Sequence, residues 1–207
     1  MASFYDRYIL PKLLTCACSG PVMMEQRTRI VPRAEGRVLE LGIGMGLNLP
    51  FYDPTKVSEV IGVDPAHELR VQAEAAPRPE GLKVSVQKGT AEALPFEDAS
   101  FDCVVCTFTL CSVHTPTAAL DQARRVLKPG GRFLYCEHGG APDPEPARWQ
   151  RFWEPLWKRM AGGCHLTRPI GSSIAAAGFK LGEGEAMYLP NMPAIVAWNE
   201  WGVATRD

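Results

Sequence analysis

The sequence predicts an α/β fold: a Rossmann-like, doubly wound sheet of seven strands, mostly parallel with an antiparallel C-terminal strand and helices on both faces. Three observations predict it. The run Val38-Leu39-Glu40-Leu41-Gly42-Ile43-Gly44-Met45-Gly46-Leu47-Asn48 reads as a buried strand entering a tight glycine turn that opens a helix. A second apolar run, Val60-Ile61-Gly62-Val63, closes on the acid Asp64. Beyond these, short apolar strands alternate with helical patterns, as in parallel βαβ units.

The elements follow in order. Residues before Pro32 read as two helical pieces broken near Cys18-Ser19-Gly20-Pro21, so that 1–35 forms an N-terminal helical cap. Strand one is placed at 37–41 and strand two at 59–63, with a helix at 68–76 after it. Strand three, 82–88, sets Val84 and Val86 on one face. Strand four is placed at 102–108, and a helix at 117–127 carries Leu120, Ala123 and Leu127 on one side. Strand five is placed at 132–137. The prolines of Ala141-Pro142-Asp143-Pro144-Glu145-Pro146 predict an extended connection. Trp149, Phe152, Trp153, Leu156, Trp157 and Met160 then recur at helical spacing, with Pro155 expected to kink or break that helix. A helix at 168–177 completes a helical lid insertion over 141–178, and strands at 180–189 and 194–204 supply the antiparallel edge. The whole of 1–207 is read as one domain.

The aromatic stripe has two readings. Either the helix packs this face on the sheet, which is the preferred one, or it is a lid whose aromatic side chains line an acceptor pocket. Phe4, Tyr5, Tyr8, Ile9 and Leu10 can face the same opening, and would also suit a membrane surface.

Composition narrows the partners. Lys and Arg number 22 against 23 Asp and Glu, so no basic patch recruits nucleic acid or an anionic membrane. Seven scattered cysteines suggest a reducing compartment, and a cytoplasmic location is expected. Asp6, Arg7 and Lys12 interrupt the N-terminal apolar residues, which argues against a secretory signal. No segment reaches the roughly 20 apolar residues of a membrane span, so membrane association is at most peripheral. Cys103 and Cys106, three apart on a strand, point to opposite faces and cannot share an ion; no metal is expected.

Glycine spacing selects the ligand class. A dinucleotide fingerprint wants a third glycine where this chain has Leu47, and no Lys-Ser or Lys-Thr follows to make a P-loop. Glycines here let a ligand approach the backbone, and Asp64 can accept hydrogen bonds from ribose hydroxyls. Glu40 beside them suits an ammonium better than a pyrophosphate. The pattern Glu40-x-Gly42-x-Gly44-x-Gly46 with Asp64 resembles the first two motifs of class I S-adenosylmethionine-dependent methyltransferases, of the type 11 family. Gly89-Thr90-Ala91-Glu92-Ala93-Leu94-Pro95-Phe96 is similar to their adenine-side loop, and Leu127-Lys128-Pro129-Gly130-Gly131-Arg132-Phe133 to the turn before their fifth strand. The resemblance implies S-adenosyl-L-methionine as cofactor. It implies a binding site from Glu40, Gly42, Gly44, Gly46, Asn48, Asp64, Pro65, His67, Thr90, Ala91, Glu92, Cys106 and Thr107. Thr90 departs from the pattern, since relatives often have aspartate there to hold the adenine amine.

A narrower resemblance spans about 38–179. Cys106-Thr107-x-x-Leu110-Cys111-Ser112-Val113, Glu137-His138, Trp149-x-x-Phe152-Trp153 and Gly163-Cys164-x-Leu166-Thr167-Arg168 are similar to the methyltransferase-like 7 group of alkyl thiol S-methyltransferases. It implies methylation of a small apolar thiol in a pocket lined by Phe108, Trp149, Trp153 and Trp157. Two features depart from that group: a short soluble helix stands where the animal proteins have a membrane anchor, and His114 and His165 replace other polar residues. An N- or O-methyltransferase acting on a phospholipid headgroup or small metabolite stays open, as does a non-catalytic cofactor-binding regulatory protein.

A thiol with a pKa of about 8.5 is already partly ionised at neutral pH, so a weak base suffices. His138, just after strand five, is the first candidate base, and holding the Gly139-Gly140 turn is its structural alternative. His165 ranks second and His114 third, the latter also readable as a helix cap with Thr115 or Pro116. Arg168 is read either as holding an anionic substrate or, the preferred reading, as neutralising a buried carboxylate.

Overall fold

The computed structural model describes residues 18–207, in which seven strands form one sheet. The first predicted helical piece, with the Phe4 to Leu10 cluster, lies outside the described residues. β1 (Gly36–Leu41), β2 (Val57–Asp64), β3 (Val84–Lys88), β4 (Phe101–Thr107) and β5 (Leu127–His138) run parallel. β6 (Phe179–Tyr188) and β7 (Trp198–Arg206) close it antiparallel, with β7 against β5. The order across the sheet is β3-β2-β1-β4-β5-β7-β6.

Strand alternation builds two cores. Val38, Val60, Cys103, Val105, Leu134 and Cys136 face one side; Leu39, Leu41, Ile61, Val104, Cys106 and Phe133 face the other. Cys103 and Cys106 thus belong to different cores, as period-two geometry requires. The first face is covered by α1 (Pro21–Ile30), through Ile30 and the turn that follows, and by Ala73 of α2 (His67–Ala75). Proline at the start of α1 loses nothing, because the first-turn N–H groups have no intrahelical acceptor. The second face is covered by α3 (Pro116–Val126), which turns Ala119, Leu120, Ala123 and Val126 inward at helical spacing. Burying a side chain such as Leu120 contributes about 1.5–3 kcal/mol.

Several expectations need correction. The proline run is not an extended connection: α4 (Pro144–Met160) starts inside it, with prolines in its first turn where their missing N–H is harmless. Pro155 does not break α4, since the carbonyl it frees is that of Arg151, an exposed residue with water at hand. After α5 (Ile170–Ala176), Ala194–Ala197 forms a helical turn, α6, so the last strand begins at Trp198. The aromatic stripe of α4 does not pack on the sheet. Trp149, Phe152, Trp153 and Leu156 are exposed, and Gln150 is the buried residue of that helix.

The chain reverses its direction of travel across the sheet between β1 and β4. A crevice opens beyond the carboxyl ends of the strands at such a switch point, and residues after β1, β2 and β4 converge on it.

Candidate functional site

A cavity of about 730 Å³ occupies this crevice, a size ordinary for small-molecule and cofactor sites, roughly 300–1,000 Å³. β1 delivers Glu40 and the glycine turn. Gly42 takes φ +63° and a Cβ on it would overlap the Thr109 side chain, so only glycine fits. At Gly46, φ is +78° and a Cβ would come within 2.8 Å of Ala76, so this glycine lets the turn pack on α2. β2 delivers Asp64, whose Oδ2 accepts the Gly44 N–H at 3.0 Å and Oδ1 the Ala66 N–H at 2.8 Å. These bonds fix its carboxylate at the cavity wall, and burial raises its pKa above the usual value.

Behind the glycines lies a buried polar network. Glu40 accepts the Tyr52 hydroxyl at 2.7 Å and the Asn48 amide at 2.9 Å. Asn48 Nδ2 also donates to Thr107 Oγ1 at 3.0 Å. Arg27 of α1 donates to Asn48 Oδ1 and Thr107 Oγ1, both at 2.7 Å, and its guanidinium lies 5.0 Å from the Phe108 ring centroid. Burial pushes the Glu40 carboxyl up to about 7, against the pull of its partners. Arg27 is buried on the cavity wall, its Nε has no hydrogen-bond partner, and no carboxylate among the described residues forms an ion pair with it.

Of the residues expected to hold the cofactor, Glu40, Gly42, Gly44, Asp64, Pro65, Thr90, Ala91, Glu92 and Thr107 line the cavity. Gly46, Asn48, His67 and Cys106 stand outside its lining. Asn48 holds Glu40 and Thr107, and Cys106 donates its thiol toward Glu137 at 3.4 Å. Thr90 bonds Glu92, whose carboxylate accepts the His114 N–H at 2.7 Å and ties the adenine-side loop to the loop after β4.

The candidate bases are dispersed. His114 lines the cavity but caps nothing with its side chain, for α3 starts at Pro116 without a side-chain cap. His138 is buried, with Nδ1 3.8 Å from Cys164 Sγ and Nε2 unpartnered, and it does not line the cavity. The Gly139-Gly140 turn is held by Gln150 and by backbone bonds to Arg168 and Trp198, not by the imidazole. His165 Nδ1 is engaged with Glu154 at 2.9 Å. Arg168 binds the Leu110 and Val113 carbonyls and forms no direct ion pair among the described residues, while the charges of the buried Glu137 and of Glu154 act on it at longer range. The expected pocket aromatics divide likewise: Phe108 lines the cavity, and Trp149, Trp153 and Trp157 do not.

Arg27 and the role of Glu137 escaped the sequence reading, whereas Phe108 was expected in the pocket without the backbone turn that places it there. Arg27 lies in the N-terminal helix, far from every motif, and nothing local marks it. Phe108 adopts φ +51°, which turns the chain sharply after β4 and puts its ring on the cavity wall. Glu137, fully buried, accepts the N–H groups of Thr109 at 2.8 Å and Cys111 at 3.2 Å and so shapes that turn. An acid at the end of β5, beside a histidine, was the available signal.

Among the described residues the cavity wall carries four carboxylates, Glu40, Asp64, Glu68 and Glu92, against the single guanidinium of Arg27. This charge set repels a pyrophosphate. It fits a ligand with a cationic centre, an ammonium and one carboxylate: Asp64 for ribose, Glu40 for the ammonium side, and the unpaired Arg27 for the carboxylate.

Comparison with known proteins places the chain in a family. The methyltransferase domain family matches residues 39–135. The thiol S-methyltransferase TMT1B of Rattus norvegicus is 37% identical over 147 residues, 70% of this chain and 60% of that protein. The thiol S-methyltransferase TMT1A of Homo sapiens is 31% identical over 172 residues, 81% of this chain and 67% of that protein. The chain therefore spans about 60–67% of the length of these relatives. The crystal structure of the YcgJ protein from Bacillus subtilis matches with a TM-score of 0.66 and 27% identity, covering 83% of this chain and 76% of that one.

Proposed function

The chain belongs to the methyltransferase domain family, and from that premise we propose that it uses S-adenosylmethionine to S-methylate a small apolar thiol. The carrying observation is the cavity's charge set, four carboxylates and one unpaired guanidinium at the switch point of the sheet. When bound, S-adenosylmethionine would supply a sulfonium-activated methyl group, whose bond to the sulfonium would break as the acceptor thiolate bonds to it, with S-adenosylhomocysteine as the leaving group. The chain's own residues bind, orient and exclude water. Asp64 accepts the ribose hydroxyls through the lone pairs its backbone donors leave free. Glu40 faces the ammonium, Arg27 pairs with the carboxylate, and Ile43, Leu69, Ala91 and Val113 close an apolar wall around the base.

Phe108, Ser112, His114 and Gly162 line the rest of the cavity and bound the acceptor. Gly162 belongs to the 141–178 segment, which acts as a lid over this end. The thiol names of the relatives and the lack of any lysine among the described residues of the wall support a neutral apolar acceptor. A thiol needs little help to ionise, and His114 is the imidazole on the wall that can take its proton. A cytoplasmic, reducing location suits both a thiol substrate and the six free cysteines of the described residues.

The test is incubation with methyl-labelled S-adenosylmethionine and a panel of alkyl thiols, amines, phenols and phospholipid vesicles. We expect labelled thioethers, at a rate that climbs with pH toward each thiol's own pKa. Methylation of an amine, hydroxyl or headgroup, with no thiol turned over, refutes the thiol acceptor.

A further inference from the structure

We propose that α4 lies flat on an anionic lipid surface and presents the cavity mouth to it. Trp149, Phe152, Trp153 and Leu156 follow the i, i+3, i+4, i+7 spacing of one helical stripe, and they are 43%, 67%, 45% and 48% exposed. The Phe152 ring packs edge to face with the rings of both Trp149 and Trp153. The helix is anchored on its other side. Gln150 bonds the Ala141 N–H and the Gly139 and Ile195 carbonyls, and Glu154 bonds His165 and the Thr167 N–H. The apolar stripe therefore points away from the body by construction, a contiguous patch of the kind that marks an interaction surface.

Charge selects the partner. The chain as a whole is balanced at −1, yet α4 holds Arg148, Arg151, Lys158 and Arg159 against Glu145 and Glu154, and Glu154 is turned inward to His165. At 100° per residue, Arg148 and Arg159 border the stripe on the Phe152 edge, and the Arg148 guanidinium lies 5.5 Å from the Trp149 ring centroid. Tryptophans on an apolar face with arginines at its edge are what the headgroup boundary accommodates: rings at the interface, guanidinium groups on lipid phosphates. A second copy of the stripe would bring a further excess of bases, four against the one outward acid Glu145, so an anionic lipid surface is the better match in charge. No helix among the described residues is long and apolar enough to cross a membrane, so the contact lies in the interface plane. α4 ends two residues before Gly162 on the cavity wall, which puts an apolar acceptor dissolved in the bilayer next to the site.

The experiment mixes the full chain with phosphatidylcholine vesicles, with or without phosphatidylglycerol, and reads co-sedimentation and tryptophan emission. Wild type should pellet with the anionic vesicles, shift its emission to the blue, and release in high salt. Phe152→Glu with Leu156→Glu should abolish pelleting, and Arg148→Gln with Arg159→Gln should weaken it about fivefold per base removed. Both double variants should methylate a water-soluble thiol at the wild-type rate without vesicles, because the substituted side chains are exposed and off the cavity wall. Failure of wild type to bind anionic vesicles, or full binding by Phe152→Glu with Leu156→Glu, overturns the proposal. So does a solution dimer that this variant dissolves, which would assign the stripe to a second copy. Vesicle binding in a protein that methylates no thiol would sustain the lipid contact while refuting the proposed acceptor.

Discussion

Arg27 is a buried guanidinium whose side-chain hydrogen bonds go to neutral oxygens, Asn48 Oδ1 and Thr107 Oγ1. A buried charge with no carboxylate in direct contact is costly, although Glu40 and Glu137 act on it at longer range, and the cofactor's carboxylate offsets that cost. Arg27→Met should therefore weaken S-adenosylmethionine by about 2–5 kcal/mol while leaving 5′-methylthioadenosine, which has no carboxylate, unaffected in titration calorimetry. An equal loss for both ligands would reduce Arg27 to a structural role. Asp64→Ala should weaken both ligands, since both carry the ribose; unchanged affinity would remove Asp64 from the site. Glu40 adds a pH dependence. Its carboxyl is held up at about 7 by burial, so below that pH the free chain keeps a proton that an ammonium must displace. Cofactor affinity should rise from about pH 6 to about pH 8 and then level, and Glu40→Gln should flatten the profile.

At the scale of elements, the end of β5 organises the turn after β4. Glu137 is the acceptor for two backbone donors of that turn, and Phe108 and Thr109 take their places on the cavity wall around it. Glu137→Ala would strand those donors, at about 1–3 kcal/mol each, which urea unfolding would register. Burial raises the Glu137 pKa to about 7, so the folded chain holds a proton that the unfolded chain gives up above about pH 4.5. Its contribution to stability is complete below the unfolded value and is lost as pH rises through about 7. Glu137→Gln should remove that part of the slope. Unchanged pH dependence of the urea midpoint in this variant would contradict the assignment.

For the whole molecule, the two cores fix the sheet and the sheet fixes the crevice. Cofactor bound only by the folded chain should stabilise it by about 2.7 kcal/mol at 100 times its dissociation constant. NAD and ATP should give no thermal shift, because four carboxylates on the wall oppose their phosphates. A clear shift with either would undo the charge argument.

The sequence by itself determined the sheet, the glycine turn and most of the cavity wall from Glu40 to Thr107. Strand alternation, turn glycines and an acid at a strand end are local signals, since neighbours in the chain decide them. Even Cys103 and Cys106 were separable by strand periodicity alone. What depends on partners distant in sequence was left to the tertiary structure. Periodicity showed that α4 has an apolar stripe, but the Gln150 and Glu154 bonds to remote loops decided that the stripe faces outward. Sequence position ranked His138 first, His165 second and His114 third as the base, yet packing left His114 on the wall, buried His138 beside Cys164 and gave His165 to Glu154. Arg27 became a cavity residue because α1 packs across the sheet and brings it 80 positions along the chain to Thr107, a contact no local pattern encodes.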